Sequence, residues 1–220
     1  MKRIISILML CILPVALHAE GESYSDVGTS NWFYDSVESF VEQEYLDASK
    51  DKFRPADLAL RSEFIKLVVE INGGIIDELP DMPGFSDVSP GDWFFGYMEE
   101  AGREEWLKGD GDCYSVSRFD SAHRDTDIKC FVRPHSNISR AEAAVIVRRA
   151  FGKSRLGKAP AFSDNPAGSW FSDAIQAAAD HCILKGDDGT RKVRPGDPVN
   201  RAEMVTMLYR VDSGGRYPEC

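Results

Sequence analysis

The chain has 220 residues, with 36 acidic against 26 basic side chains and a formal charge of −10. That length allows one large domain or several small ones, and a 43% hydrophobic content without low-complexity tracts is ordinary globular composition. The acidic balance argues against nucleic acid or an anionic membrane surface as the main partner, and any acidic ligand must be held by local Arg or Lys pockets.

Lys2 and Arg3 precede an apolar run from Ile4 to Leu17, followed by His18-Ala19. This pattern predicts a secretory signal peptide over residues 1–19. The run is short for a membrane span, and no later stretch qualifies, so no transmembrane segment is expected after cleavage. Removal of Lys2 and Arg3 leaves the mature chain at −12.

An aromatic element then appears three times. Asp26, Asp87 and Asp164 each stand six residues before a Trp: Trp32, Trp93 and Trp170. Asn31, Asp92 and Ser169 directly precede these Trp residues and are N-cap types, which predicts a helix starting at each Trp. Apolar spacing carries the helices to about Leu46, Leu107 and Leu184, with Val37 and Phe40, Met98 and Ala101, Ile175 and Ala178 on their inner faces. The Trp residues have two readings, core packing at a helix start and a platform for ligand stacking.

A polar turn follows each helix, with Lys108-Gly109 in the second copy, Lys185-Gly186 in the third and Asp47-Ala48 in the first. Next come Phe53-Arg54-Pro55, Val132-Arg133-Pro134 and Val193-Arg194-Pro195. From each Pro it is six residues to an Arg: Arg61, Arg140 and Arg201. Ser139 and Asn200 precede Arg140 and Arg201, and Glu142 and Glu203 follow at the spacing of a capping box. Leu60-Arg61-Ser62-Glu63 is a weaker copy. Behind each Arg the apolar residues fall at i, i+3, i+4, i+7, which predicts a helix led by the Arg. A cation in the first turn opposes the helix dipole. The Arg either binds an anion there, at a helix start facing solvent or a ligand, or pairs with a nearby acid and covers apolar surface with its stem.

Three copies at fixed spacing are an internal repeat. The units span residues 24–79, 85–152 and 162–211, with a tail at 212–220 and short linkers at 80–84 and 153–160. A two-helix unit of this size cannot bury its apolar face alone, so the three should share a core. The Trp-to-Pro distance is 23, 41 and 25 residues in turn, so the second unit carries an insertion near 110–130. Cys113 and Cys130 flank it, and Cys182 and Cys220 complete the mature set. In an exported chain these read as two disulfides, with Cys113–Cys130 closing the insertion and Cys182–Cys220 tying back the tail. Four Cys allow three pairings. A zinc site of Cys113, His123, Cys130 and His135 is the weaker reading, since no compact spacing supports it. The runs 109–112 and 186–189 lack the closing acid of a calcium loop, with Ser121 and Pro198 standing there, and read as turns.

The Ser-Asp-Trp elements, Arg-Pro triplets and Arg-Ala-Glu helix starts together resemble the S-layer homology domain, over about residues 24–211. The resemblance implies a mainly α fold: three helix-loop-helix repeats in a pseudo-threefold assembly around a central bundle of Arg-led helices. It also implies inter-repeat grooves that bind secondary cell-wall polysaccharide or a peptidoglycan-linked glycan, in the family often through a pyruvate carboxylate. Carried over, Arg61, Arg140 and Arg201 are carboxylate ligands. Trp32, Trp93, Trp170, Lys108, Gly109, Lys185 and Gly186 are groove walls. No cofactor or metal is implied, and the expected location is the cell surface. The alternative is an envelope module that binds a protein partner and has lost glycan binding. An enzyme is disfavoured: no Gly-x-Ser-x-Gly or His-Glu-x-x-His pattern is present, and His123, His135 and His181 are the only mature His residues.

Overall fold

The computed structural model describes residues 22–74, 76, 79, 83–111, 113 and 130–212. The expected signal peptide, most of the insertion with His123, and the tail with Cys220 lie outside the described residues. The fold is mainly helical. In chain order it contains α1 (Tyr34–Glu42), α2 (Arg61–Ile71), α3 (Phe95–Arg103), β1 (Asp110–Gly111), β2 (Cys130–Phe131), α4 (Arg140–Ala150), α5 (Ser172–Asp180) and α6 (Arg201–Asp212). β1 and β2 pair antiparallel, with Asp110 opposite Phe131.

The Arg-led helices begin where the capping pattern puts them. The Trp-led helices start two residues later and end earlier than their apolar spacing suggests. At the start, Asn31 and Asp92 turn their side chains backward: Gly28 N donates to Asn31 Oδ1 at 2.7 Å and Ser89 N to Asp92 Oδ2 at 2.8 Å. These oxygens therefore close the preceding turn instead of capping the helix. At the end, Glu44, Glu105 and Cys182 adopt left-handed φ of 61°, 59° and 62°. Cys182 N donates to Ala179 O and Ile183 N to Ala178 O, at 2.9 and 2.8 Å, which is a Schellman closure without glycine.

Helices pack across repeats. The first helix of each unit lies on the Arg-led helix of a different unit: α1 on α6, α3 on α2, α5 on α4. α2 also touches both α4 and α6. The predicted apolar stripes are inside, with Phe40, Phe64, Met98, Val147, Ile175, Met204 and Leu208 all buried in one core.

Three short segments before the Arg-led helices bond in a closed cycle. Ala59 N donates to Val199 O, Val199 N to Ile138 O, and Ile138 N to Ala59 O, at 2.9, 2.9 and 3.0 Å. All three residues are fully buried, so this ring supplies partners that water cannot.

Candidate functional site: the joints and grooves between repeats

Each joint begins at the motif Asp. Asp87 accepts Val132 N and Arg133 N through its two oxygens, at 2.9 and 2.7 Å. Asp26 holds Phe53 N and Arg54 N, and Asp164 holds Val193 N and Arg194 N, in the same way. The three Arg residues so held have left-handed φ of 59°, 51° and 53°. A carboxylate on two successive amides offsets the cost of that backbone. Burial pushes the Asp164 carboxyl up, but the Val193 and Arg194 amides outweigh it and leave it below its ordinary value.

The Asp-held segments then present carbonyls to the next Arg. Arg61 Nε donates to Val132 O, Arg140 Nε to Val193 O and Arg201 Nε to Phe53 O, at 2.8, 2.7 and 2.8 Å. Their Nη1 atoms pair with acids of the neighbouring unit: Arg61 with Glu142 at 2.9 Å, Arg140 with Glu203 at 3.2 Å and Arg201 with Glu63 at 2.7 Å. The pairs run in the order one to two, two to three, three to one. Arg61 and Arg140 are only 4% and 6% exposed, so the expected solvent-facing helix start is not what forms. The reading in which each Arg pairs with a nearby acid describes the geometry. Burial pushes the Arg61 and Arg140 guanidinium groups below their ordinary value, and Glu142 and Glu203 oppose that push.

The helix starts are likewise occupied. Arg61 N, Arg140 N and Arg201 N donate to Ser136 O, Asp197 O and Asp57 O, each at 2.9 Å. Glu142 N donates to Ser139 Oγ and Glu203 N to Asn200 Oδ1. Leu60 has no acceptor, and only the return bond from Leu60 N to Glu63 Oε2 remains, at 2.9 Å. At α4 and α6 the N–H groups that an anion would need are thus bonded within the protein.

Beside two of these joints lie open grooves. The larger, about 340 Å³, has Arg61 and Glu142 at its floor and Lys108, Gly109, Arg149 and Trp170 around it. The smaller, about 170 Å³, has Arg140 and Glu203 at its floor with Lys185, Arg210 and Trp32 around it. Each gathers residues from all three units. The Trp residues are not core: Trp32, Trp93 and Trp170 are 64%, 57% and 67% exposed. Each stands edge-on to the following Phe at 5.3 Å, which fixes the indole outward. Arg201, the third floor position, is half-buried over the Phe53 ring, 5.0 Å from its centre.

Gly109 and Gly186 have a packing role. A Cβ at Gly109 would meet the Cys130 and Cys113 sulfurs at 2.6 and 2.7 Å, and one at Gly186 the Phe162 ring at 2.6 Å. Gly109 also lines the larger groove. Cys113 and Cys130 form a disulfide, with Cα atoms 4.7 Å apart. Their sulfurs are thereby removed from the zinc set, and no metal-holding group of His, Cys, Asp or Glu occurs among the described residues. Cys182 is also disulfide-bonded.

Sequence reasoning missed two sets of residues. The Glu of each helix start was read only as a cap, yet its second oxygen takes the Arg of another unit. Arg149 and Arg210 were not singled out. Both stand nine residues after a motif Arg, and that shared spacing was the available signal.

Residues 161–205 match the family model described as the S-layer homology domain. The chain is 22% identical over 209 residues to the "Exoglucanase XynX" of Acetivibrio thermocellus, covering 92% of this chain and 17% of that protein. It is 23% identical over 205 residues to an "S-layer protein" of Bacillus thuringiensis subsp. finitimus, covering 91% of this chain and 22% of that protein. Over 77 residues it is 31% identical to an "Amylopullulanase" of Thermoanaerobacterium thermosulfurigenes, 35% of this chain and 4% of that protein. The chain thus spans less than a quarter of each relative's length.

Proposed function

We propose, from the S-layer homology domain in residues 161–205, that the chain is a non-catalytic cell-surface module that binds an acidic wall polysaccharide in its inter-repeat grooves. An S-layer homology domain is a wall-attachment module, which implies a cell-surface or cell-wall location. Among the described residues no helix is long and apolar enough to cross a membrane. The observation that carries the ligand reading is the pairing of outward-held Trp residues with cation-rich grooves: Trp170 with Lys108 and Arg149, Trp32 with Lys185 and Arg210. A flat aromatic face suits a sugar ring, and Lys and Arg suit a carboxylate such as that of a pyruvate ketal. Arg61 and Arg140 form the floors of the two grooves, and Arg201 holds the equivalent place at the third joint. The exoglucanase and the amylopullulanase have most of their length outside the matched region, so their catalytic names do not transfer.

Co-sedimentation tests this reading. The chain should pellet with purified sacculi of the source organism and stay in the supernatant with the same sacculi after chemical release of their polysaccharide. Equal pelleting with both would point to the peptidoglycan itself, and no pelleting with either would overturn wall binding.

A further inference from the structure

The three joints are built alike, but their outer walls differ. Nine residues after the motif Arg stand Arg149 and Arg210 in the second and third units and Glu70 in the first. Arg149 Nη1 donates to Trp106 O and Arg210 Nη1 to Ile183 O, both at 3.4 Å. In each case that carbonyl lies two residues before the groove Lys, so the two cations of one wall are brought together. In the first unit the equivalent carbonyl is Tyr45 O, and Lys66 Nζ occupies it at 2.9 Å. Lys66 also pairs with Glu70 Oε2 at 2.7 Å, and the Tyr97 hydroxyl donates to Glu70 Oε1 at 2.9 Å. Asp47 stands where the other units have Lys108 and Lys185.

The charge count follows. The larger groove is lined by four cations against two carboxylates, and the smaller by three against one. At the third joint Glu70 and Asp47 stand in place of the Arg and Lys of the other two walls, with Glu70 paired to Lys66 at 2.7 Å and Asp47 to Lys50 at 3.8 Å. The motif Arg–Glu pair recurs in all three joints, so what distinguishes them for an anion is the outer wall, Lys and Arg in two and Asp and Glu in the third.

We infer that the chain has two anion-binding grooves, not three. In one the ligand carboxylate sits between Lys108 and Arg149 beside Trp170. In the other it sits between Lys185 and Arg210 beside Trp32. The joint walled by Asp47 and Glu70 takes no anion, and Trp93 has no anionic ligand beside it. Arg61 and Arg140 act as positioning residues beneath the site. This assignment rests on the polysaccharide reading above.

Tryptophan fluorescence tests it groove by groove. The probe is the polysaccharide released from sacculi, titrated into the full-length chain and its single Trp→Phe variants. The same polymer with its carboxyl groups reduced to alcohols is the control. The Trp32→Phe and Trp170→Phe variants should each lose part of the response, and Trp93→Phe none. Lys108→Ala with Arg149→Ala should weaken the Trp170 response at least about tenfold and spare the Trp32 response. Lys185→Ala should do the reverse; it is exposed and removes no core contact, so it serves alone where Arg210→Ala costs folding. The reduced polymer should not titrate. A response carried by Trp93, unchanged affinity in both Lys variants, or undiminished binding of the reduced polymer would overturn the two-groove assignment and leave wall binding standing. No response from the wild type would overturn both.

Discussion

Glu142 divides its oxygens between two helices. Oε2 accepts Ser139 N at 2.9 Å and caps its own helix, while Oε1 takes Arg61 of another unit. Glu203 and Glu63 repeat the arrangement with Arg140 and Arg201. Removing Arg140 leaves Glu203 charged without its ion-pair partner, but partly exposed and still bonded to Asn200 N, which costs about 1.5–3 kcal/mol. Arg140→Ala should therefore lower unfolding stability by about that much in urea titration, and a change below 0.5 kcal/mol, about the size of a surface substitution, would contradict the pairing. Arg140→Ala is for that reason a poor probe of binding. The sequence showed both members of each pair and the capping role of the Glu. It could not show the second bond, because spacing within a unit says nothing about which unit a side chain reaches. Acid should act on the same groups. Burial raises the Glu142 carboxyl, but the Ser139 amide, Arg61, the Ser139 hydroxyl and Arg133 outweigh it and hold it below its ordinary value. A depressed folded value contributes stability that is whole above the ordinary carboxylate range and is lost as pH falls through the folded value. The thermal midpoint should fall below roughly pH 4, and more gently in Glu142→Gln. A midpoint unchanged down to pH 3 would contradict this.

At the scale of elements, the starts of the Arg-led helices were legible and the exact bounds of the Trp-led helices were not. Arg-led starts carry capping residues, and the structure begins α4 and α6 at Arg140 and Arg201. Two residues past the end of each Trp-led helix, Glu44, Glu105 and Cys182 take up left-handed backbone, where no glycine marks the stop. The linker into the third unit also gave no signal. Asp180 accepts four consecutive amides, Leu156 and Gly157 on Oδ2 and Lys158 and Ala159 on Oδ1, at 2.7–3.0 Å. Burial pushes the Asp180 carboxyl up and these amides outweigh it, holding it low. Asp180→Ala should free the linker, and limited proteolysis should then cut near residues 153–160 while the wild type resists. Equal cleavage of both would contradict the clamp. The turn glycines are set by close approach: Gly186→Ala forces a Cβ against Phe162 and should cost about 1–3 kcal/mol in thermal or urea unfolding.

Across the whole molecule, the cycle of joints makes each groove a product of all three units. Three sequence copies predicted a shared core and a mainly helical fold, and both are found. The order in which units embrace one another was not legible. It depends on long-range bonds such as Arg201 Nε to Phe53 O, 148 residues apart. The Trp residues were equally ambiguous in sequence, because an aromatic at a helix start can face either way. Their exposure follows from the Phe beside each, which takes the core position in its place for Phe33 and Phe94. Since Trp32 and Trp170 are exposed, replacing them should leave folding intact. The most direct measurement is co-sedimentation with purified sacculi of the wild-type chain beside the Trp32→Ala, Trp170→Ala double variant, with thermal melting of both in parallel. Wild type should pellet, and the double variant should melt normally and remain in the supernatant. A double variant that pellets as fully as the wild type would contradict wall attachment through these grooves.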